Sequence, residues 1–377
     1  MAPHAAGRSL KMSDPNEVAQ RVEAVVAAFA EGAIVVVADD DDRENEGDLF
    51  VAAALCTPEK MAFIIRNTSG IVCAPLASEE AKRLHLDPMV ALNDAPLGTA
   101  FTVTVDVRHG LTTGISAEER SNTVRALANG NNGAADFVRP GHVFPLVAKD
   151  GGVLMRSGHT EACVDLCRLA GLPPVGVLAE LMNDDGTVMR GAGVTEFARR
   201  HGLQCVSIAD LIAYRQARDK LVKRVGEFQV ETEIGKLAGY SYVTPFDQVH
   251  HMAFVYGRIG DGKNILARLH RADVVSEVFG GAKPIHAALA RFKAEGRGVL
   301  VFLRDGAAGV PASAIPQPGG TASEAARTRQ WREIGLGAQI LKDLGISSIR
   351  LLAGSKWNYV GLGGFGIEIL STDGLEG

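Results

Sequence analysis

Seven carboxylates and one arginine fill the ten residues 39–48, Asp-Asp-Asp-Asp-Arg-Glu-Asn-Glu-Gly-Asp. Short apolar runs flank them, AIVVVA at 33–38 and LFVAAA at 49–54, and both read as buried strands. A solvated charge run usually lies on a helix face or in a tail, whereas this one is held between two strands of a core. Carboxylates crowded this closely resist ionisation unless a cation compensates. One Arg is not enough, and a hard divalent ion with oxygen ligands is the natural partner. Charge alone fits an acidic surface hairpin equally well. A calcium loop of the EF-hand type does not fit, because Arg43 stands where an acidic ligand is needed and Glu44 where glycine is needed.

Three further features have chemical potential. Arg156-Ser157-Gly158-His159-Thr160 opens an apolar helical stretch through Leu166 and Leu169. The free N–H groups and positive end of such a helix attract an anion, and Arg156 can add a bidentate contact, so phosphate is the natural guest. His142 follows Pro140 and Gly141 at a break in an apolar run, and Glu180 interrupts the apolar run 173–182. An unpaired buried carboxylate is costly, so Glu180 needs a partner or a task. Taken singly, these are a helix cap, two ordinary polar histidines and a strand glutamate. Taken together they describe metal-assisted proton chemistry on a phosphorylated small molecule.

The elements that must position them follow from periodicity. Ser13-Asp14-Pro15 starts a helix through Val18, Val22, Val25 and Phe29, ended by Gly32. Thr57-Pro58-Glu59 opens another, and Ser116 with Glu119 forms a capping box for a helix running to Ala128. Strands are expected over 70–76, 101–107, 137–146 and 173–182, and helices over 194–201 and 208–218. Strands and helices interleave without regular βαβ units, which predicts an α+β domain on a mixed sheet. The charged segment 215–224 reads as a linker. Beyond it, strands over 252–259, 265–270, 299–303 and 349–352, with helices over 285–292 and 331–344, predict a second, smaller α/β domain. Residues 307–323, rich in Gly, Pro, Ser and Ala, read as a loop.

Bulk composition narrows the class. A chain of 377 residues favours two domains, and 46% hydrophobic and 22% charged residues are ordinary for a globular protein. A net charge of −5 offers no basic face, so no nucleic-acid partner is expected. No apolar run is long enough to span a bilayer, and the first residues lack the apolar core of a secretory signal. Five cysteines with no CxxC pair fit buried thiols in a reducing compartment, so a cytoplasmic location is expected.

The motifs DDDDRENEGDL at 39–49, TTGISAEER at 112–120, RSGHTEA at 156–162 and ELMNDDG at 180–186 resemble 3,4-dihydroxy-2-butanone 4-phosphate synthase, an enzyme of riboflavin synthesis. The resemblance places a synthase domain at 13–218. It implies conversion of ribulose 5-phosphate to the four-carbon phosphate and formate, with magnesium or, in its place, manganese. It further implies Glu44 and His159 as metal ligands, Arg43 and Asp48 on the sugar, and Arg156, Ser157, Gly158, His159 and Thr160 on the phosphate. His142 and Glu180 match positions needed for catalysis, with Glu180 also touching substrate. Asp48 or Glu46 is expected to move the first protons. A homodimer with sites near its interface is implied as well.

Residues 222–377 resemble GTP cyclohydrolase II, through ARLHRADVVSEVFGG at 267–281 and GLGAQILKDLG at 335–345. The family's zinc cysteines fall at Asp273, Pro284 and His286, and its general-base Asp falls at Gln330, beside a retained Arg332. Its Gly-Arg-Gly stretch reads Asp305-Gly-Ala-Ala-Gly309. Proline binds no metal, and one Asp with one His does not make a zinc site. No zinc and no GTP cyclohydrolase activity are therefore expected. The alternatives are a bifunctional enzyme and a non-catalytic metal- or nucleotide-binding regulator.

Overall fold

The computed structural model describes residues 15–39, 45–95, 97–245, 249–304, 335–353 and 367–374. Two seven-stranded mixed sheets organise the chain, one built from its first seven strands and one from its last seven. The fold is α+β.

The first sheet comprises β1 (Val35–Ala38), β2 (Gly47–Ala52), β3 (Cys73–Leu76), β4 (Val105–Val107), β5 (Phe137–Val147), β6 (Gly176–Glu180) and β7 (Cys205–Ser207), in the order β4-β5-β3-β6-β2-β1-β7. Both central pairings of β6, with β2 and with β3, are antiparallel, while β3 runs parallel to β5. Helices α1 (Pro15–Ala30), α5 (His159–Leu169) and α7 (Ile208–Arg218) cover one face, where Phe29, Phe50, Leu166 and Leu211 share a core. Helices α2 (Pro58–Asn67), α4 (Ala117–Leu127) and α6 (Ala192–His201) cover the other, around Leu49, Ile64, Leu127 and Phe197. A short α3 (Ser78–Arg83) follows β3. The predicted starts hold: Thr57 Oγ1 accepts from the Lys60 amide, and Ser116 and Glu119 exchange both bonds of a capping box.

The break expected at Pro140 is a bulge inside one long strand. Pairing with β4 jumps from Val105↔Val143 to Asp106↔Val138, so residues 139–142 lie outside the ladder.

The second sheet has the order β14-β13-β11-β12-β10-β9-β8, from β8 (Lys223–Thr232), β9 (Gly235–Val243), β10 (His251–Tyr256), β11 (Ile265–Arg271), β12 (Gly298–Leu303), β13 (Ser348–Ala353) and β14 (Glu368–Gly374). Helices α8 (Val274–Phe279) and α9 (Lys283–Glu295) lie between β11 and β12 in the chain. Phe292 and Leu289 of α9 pack on Leu266 and Leu300. The opposite face receives Leu336, Ile340 and Leu341 of a helix over 335–343, in a core continuous with that of α1, α5 and α7. The expected loop at 307–323 lies outside the described residues, as do Asp305–Gly309, Gln330 and Arg332.

Candidate active site

Register across the first sheet sets the geometry. Asp48 pairs with Glu180, Phe50 with Leu178, and Cys73 with both Leu178 and Phe144. Directly paired residues point to one face of a sheet. Two residues further toward one end of those strands, that face carries Asp48 on β2, Glu180 on β6 and His142 on β5, with Ile71 between the last two. The sheet thus aligns, along one edge, three of the residues singled out in sequence. His142 stands two strand spacings from Glu180, about 10 Å.

His159 comes to this edge from above, as the first residue of α5. Its side chain is buried, with Nε2 3.9 Å from Asp48 Oδ1 and the ring edge-on to Phe50 at 6.0 Å between centroids. Gly158 caps the helix with an extended backbone and no side chain, and the Arg156 guanidinium lies so close that a Cβ there would fall 2.3 Å from Nη1. Arg156 is held by the framework: Nη1 donates to Glu161 Oε2 at 2.7 Å, and Nη2 to the carbonyl of Leu97 at 3.2 Å. Glu161 in turn accepts from the Lys149 amide. With both terminal nitrogens used internally, Arg156 lends the helix end positive charge rather than a two-pronged grip.

Glu180 Oε2 accepts from Ser69 Oγ at 2.8 Å. The Cys73 thiol lies next to these acids, and burial, reinforced by the charges of Glu180 and Asp48, drives it far above its ordinary range, so it stays protonated. Glu46 is tied to Arg190 at 2.8 Å, and among the described residues of the acidic run Asp48 approaches His159. Arg43 and Glu44 lie outside the described residues.

His142 has a partner that sequence reasoning missed. Asp106, buried on β4, accepts from the His142 amide through Oδ1 at 2.9 Å and meets Nδ1 through Oδ2 at 2.7 Å. Gly114 seals the pair: its φ is +80°, and a Cβ there would fall 2.2 Å from Asp106 Oδ2 and 2.5 Å from His142 Nδ1. The signal was present, since Asp106 is a carboxylate between two strand valines, as Glu180 is among apolar residues. Ser69 offered none. Cys73 was legible only as a buried thiol.

Carboxylates, imidazoles and a helix N-terminus on one edge of an α+β sheet define an enzyme for a small, anionic, oxygen-rich substrate. The family model for 3,4-dihydroxy-2-butanone 4-phosphate synthase matches residues 23–214, and that for GTP cyclohydrolase II matches 223–373. The chain belongs to the 3,4-dihydroxy-2-butanone 4-phosphate synthase family, with a GTP cyclohydrolase II-family region following the synthase. The bifunctional riboflavin biosynthesis protein RIBA 1 of Arabidopsis thaliana is 46% identical over 359 residues, 90% of this chain and 66% of the relative. The Salinispora arenicola riboflavin biosynthesis protein RibBA is 44% identical over 92% of this chain and 87% of its own. The monofunctional riboflavin biosynthesis protein RIBA 2 of Arabidopsis thaliana is 41% identical over 98% of this chain and 79% of its own.

Among solved structures, the two-domain 3,4-dihydroxy-2-butanone 4-phosphate synthase RibBX from A. baumannii superposes with a TM-score of 0.79 at 37% identity, covering 94% of this chain and 99% of that one. A 3,4-dihydroxy-2-butanone 4-phosphate synthase in complex with two magnesium ions covers 52% of this chain and 97% of its own, with a TM-score of 0.52 and 46% identity. By family the first half is a lyase of riboflavin biosynthesis, making 3,4-dihydroxy-2-butanone 4-phosphate and formate from D-ribulose 5-phosphate.

Proposed function

We propose that the synthase reaction takes place at the edge where Asp48, Glu180 and the start of α5 meet, with a divalent ion, magnesium or manganese in its place, held by His159 and Glu44. The observation that carries this reading is the approach of His159 Nε2 to Asp48 Oδ1 at 3.9 Å, at the N-terminus of α5. Imidazole nitrogen and carboxylate oxygen are donors such ions accept, and the solved synthase in complex with two magnesium ions supports a divalent ion in this family. With an ion held there, the site would gain Lewis acidity toward a ketose carbonyl and the C–H beside it.

The chain's own groups do the rest. The α5 amides, with Ser157, Gly158 and Thr160, take the phosphate, while Arg43 and Asp48 hold the sugar hydroxyls. Glu180, oriented by Ser69, and His142, oriented by Asp106, move protons. Glu44→Gln removes a ligand, and the expected outcome is formate release from ribulose 5-phosphate that is abolished by EDTA in the wild type and nearly absent in the variant. Retained turnover in Glu44→Gln would remove the ligand assignment, and absent turnover in the wild type the whole reading.

We further propose that the second half lacks GTP cyclohydrolase activity and holds no zinc. Of the three positions given to zinc cysteines, Asp273 sits where its amide donates to Glu277 Oε1, Pro284 lies in the first turn of α9, and His286 Nδ1 pairs with Glu233 at 2.7 Å. The bifunctional names of several relatives favour the other reading, and stoichiometric zinc with formate release from GTP would establish it.

A homodimer is also proposed. Ile71 (50% exposed) and Ile115 (53% exposed) place apolar surface on the edge that carries His142, where a second copy of the chain would cover it. Light scattering of the eluted protein tests this. No helix among the described residues is long and apolar enough to cross a membrane. The five free thiols suit a reducing compartment, and cytoplasmic location is proposed on that ground, to be tested by cell fractionation.

A further inference from the structure

Only residues 219–222 separate the last helix of the first half from the first strand of the second. A side chain from across the junction fastens this segment. Gln339, on the helix over 335–343, accepts from the Leu221 amide at 2.6 Å and donates to the carbonyls of Asp219 at 2.6 Å and Gln216 at 3.3 Å. The last carbonyls of a helix have no partner within it, so the second half of the chain completes the end of α7.

From this end a polar path runs inward. Arg215, on the last turn of α7, grips Asp219 Oδ2 through Nε at 2.9 Å and Nη2 at 2.6 Å. Its Nη1 reaches Asp165 Oδ2 at 2.7 Å and the carbonyl of Gly151 at 2.8 Å. Asp165 is buried on α5 and also accepts from the Val153 amide at 2.8 Å. Gly152 lies so tightly against this carboxylate that a Cβ would fall 2.0 Å from Oδ1, in a backbone with φ +64°. Asp165 therefore locks α5 to the turn at Gly152–Leu154, and that turn leads directly into Arg156 and His159. Asp165 itself is about 9 Å along the helix from His159.

We infer that Gln339, Arg215 and Asp165 are positioning residues for the synthase site, through which the second half of the chain sets the phosphate-binding end of α5. None of them touches the substrate. The inference rests on the reading of α5 as the phosphate site, and it gives the second half a role that requires no chemistry of its own. It also explains why Gln339 directs both its amide oxygen and its amide nitrogen at the connection rather than at its own domain.

The test is a double-mutant cycle on the full chain, reading inorganic phosphate affinity by calorimetry, KM and kcat for ribulose 5-phosphate, and the unfolding midpoint. Gln339→Ala is expected to weaken phosphate and raise KM together by roughly three- to tenfold, with kcat nearly unchanged. Asp165→Asn is expected to do the same, and the double variant no worse than Asp165→Asn alone, because both act through one path. If Asp165→Asn does not yield folded protein, Arg215→Lys replaces it in the cycle. A Gln339→Ala chain that unfolds earlier but binds phosphate as tightly as the wild type overturns the inference, as does a double variant whose losses multiply. A wild type that does not turn over ribulose 5-phosphate overturns the synthase reading instead.

Discussion

Asp106 meets His142 from two directions, at the backbone amide and at Nδ1, and that doubling decides what the imidazole can do. A carboxylate only accepts, so Nδ1 carries the hydrogen and Nε2 is left as the basic nitrogen, turned toward solvent on a side chain 42% exposed. Fixing tautomer and direction in this way is what a general base requires. Asp106→Asn keeps the shape but can present an N–H to the ring and favour the wrong tautomer. It is expected to lower kcat about 10²-fold or more while leaving KM for ribulose 5-phosphate close to wild type. Steady-state kinetics check this, and unchanged kcat would separate His142 from proton transfer. Asp106 carries the same mark in sequence as Glu180, a carboxylate stranded among apolar strand residues. The pairing itself was not legible, because it depends on the bulge that takes residue 142 out of the ladder and sets it against the Asp106 side chain.

The loop over 112–116 shows how elements protect such a pair. Glu119, at the third position of α4, accepts from the Thr112 amide at 2.7 Å, from Thr112 Oγ1 at 2.8 Å and from Ser116 Oγ at 2.8 Å. These bonds hold its carboxyl well below the usual range and tie the loop to the helix. Gly114 is therefore fixed against Asp106 and His142 and cannot retreat. Gly114→Ala adds a Cβ where there is no room and imposes a left-handed strain of about 1–2 kcal/mol. The expected result is a folded protein with strongly reduced kcat, checked by circular dichroism beside the formate assay. Local signals made several elements legible: α1 through its apolar helical spacing, α4 through its capping box, and the two strands flanking the acidic run through short apolar stretches, as suits strands buried on both faces. The β8–β9 hairpin was not legible. Lys223–Thr232 exposes one face throughout and only half-buries the other, too little apolar contrast to mark a strand, and its first two residues, with the end of α7, read as linker. The last strand, Glu368–Gly374, is an edge of the same kind.

At the scale of the whole molecule, two buried groups, one in each half, give stability opposite dependences on pH. His251, fully enclosed on β10, accepts the Arg304 amide at Nδ1, and burial, aided by Arg304 and His250, lowers its pKa to about 4. The unfolded chain takes up a proton here as pH falls through 6.5 and the folded chain does not. Stability is therefore lost between pH 6.5 and about 4, by up to about 3 kcal/mol. Asp165 behaves in reverse. Burial raises it to about 6 despite Arg215, so the folded chain keeps a proton that the unfolded chain has released. Its contribution grows as pH falls from 6 to its ordinary value near 3.8, by a similar amount. The two nearly cancel over the shared window, and acidification from pH 6 to 4.5 should reveal little from either in the wild type. Substitution separates them: Asp165→Asn should lose stability steeply over that window, whereas His251→Gln should hold or gain it. Urea unfolding at half-unit steps of pH measures both slopes. Parallel slopes in the two variants would show that these groups do not titrate as their burial requires, and that the cores of the two halves admit water where the packing excludes it.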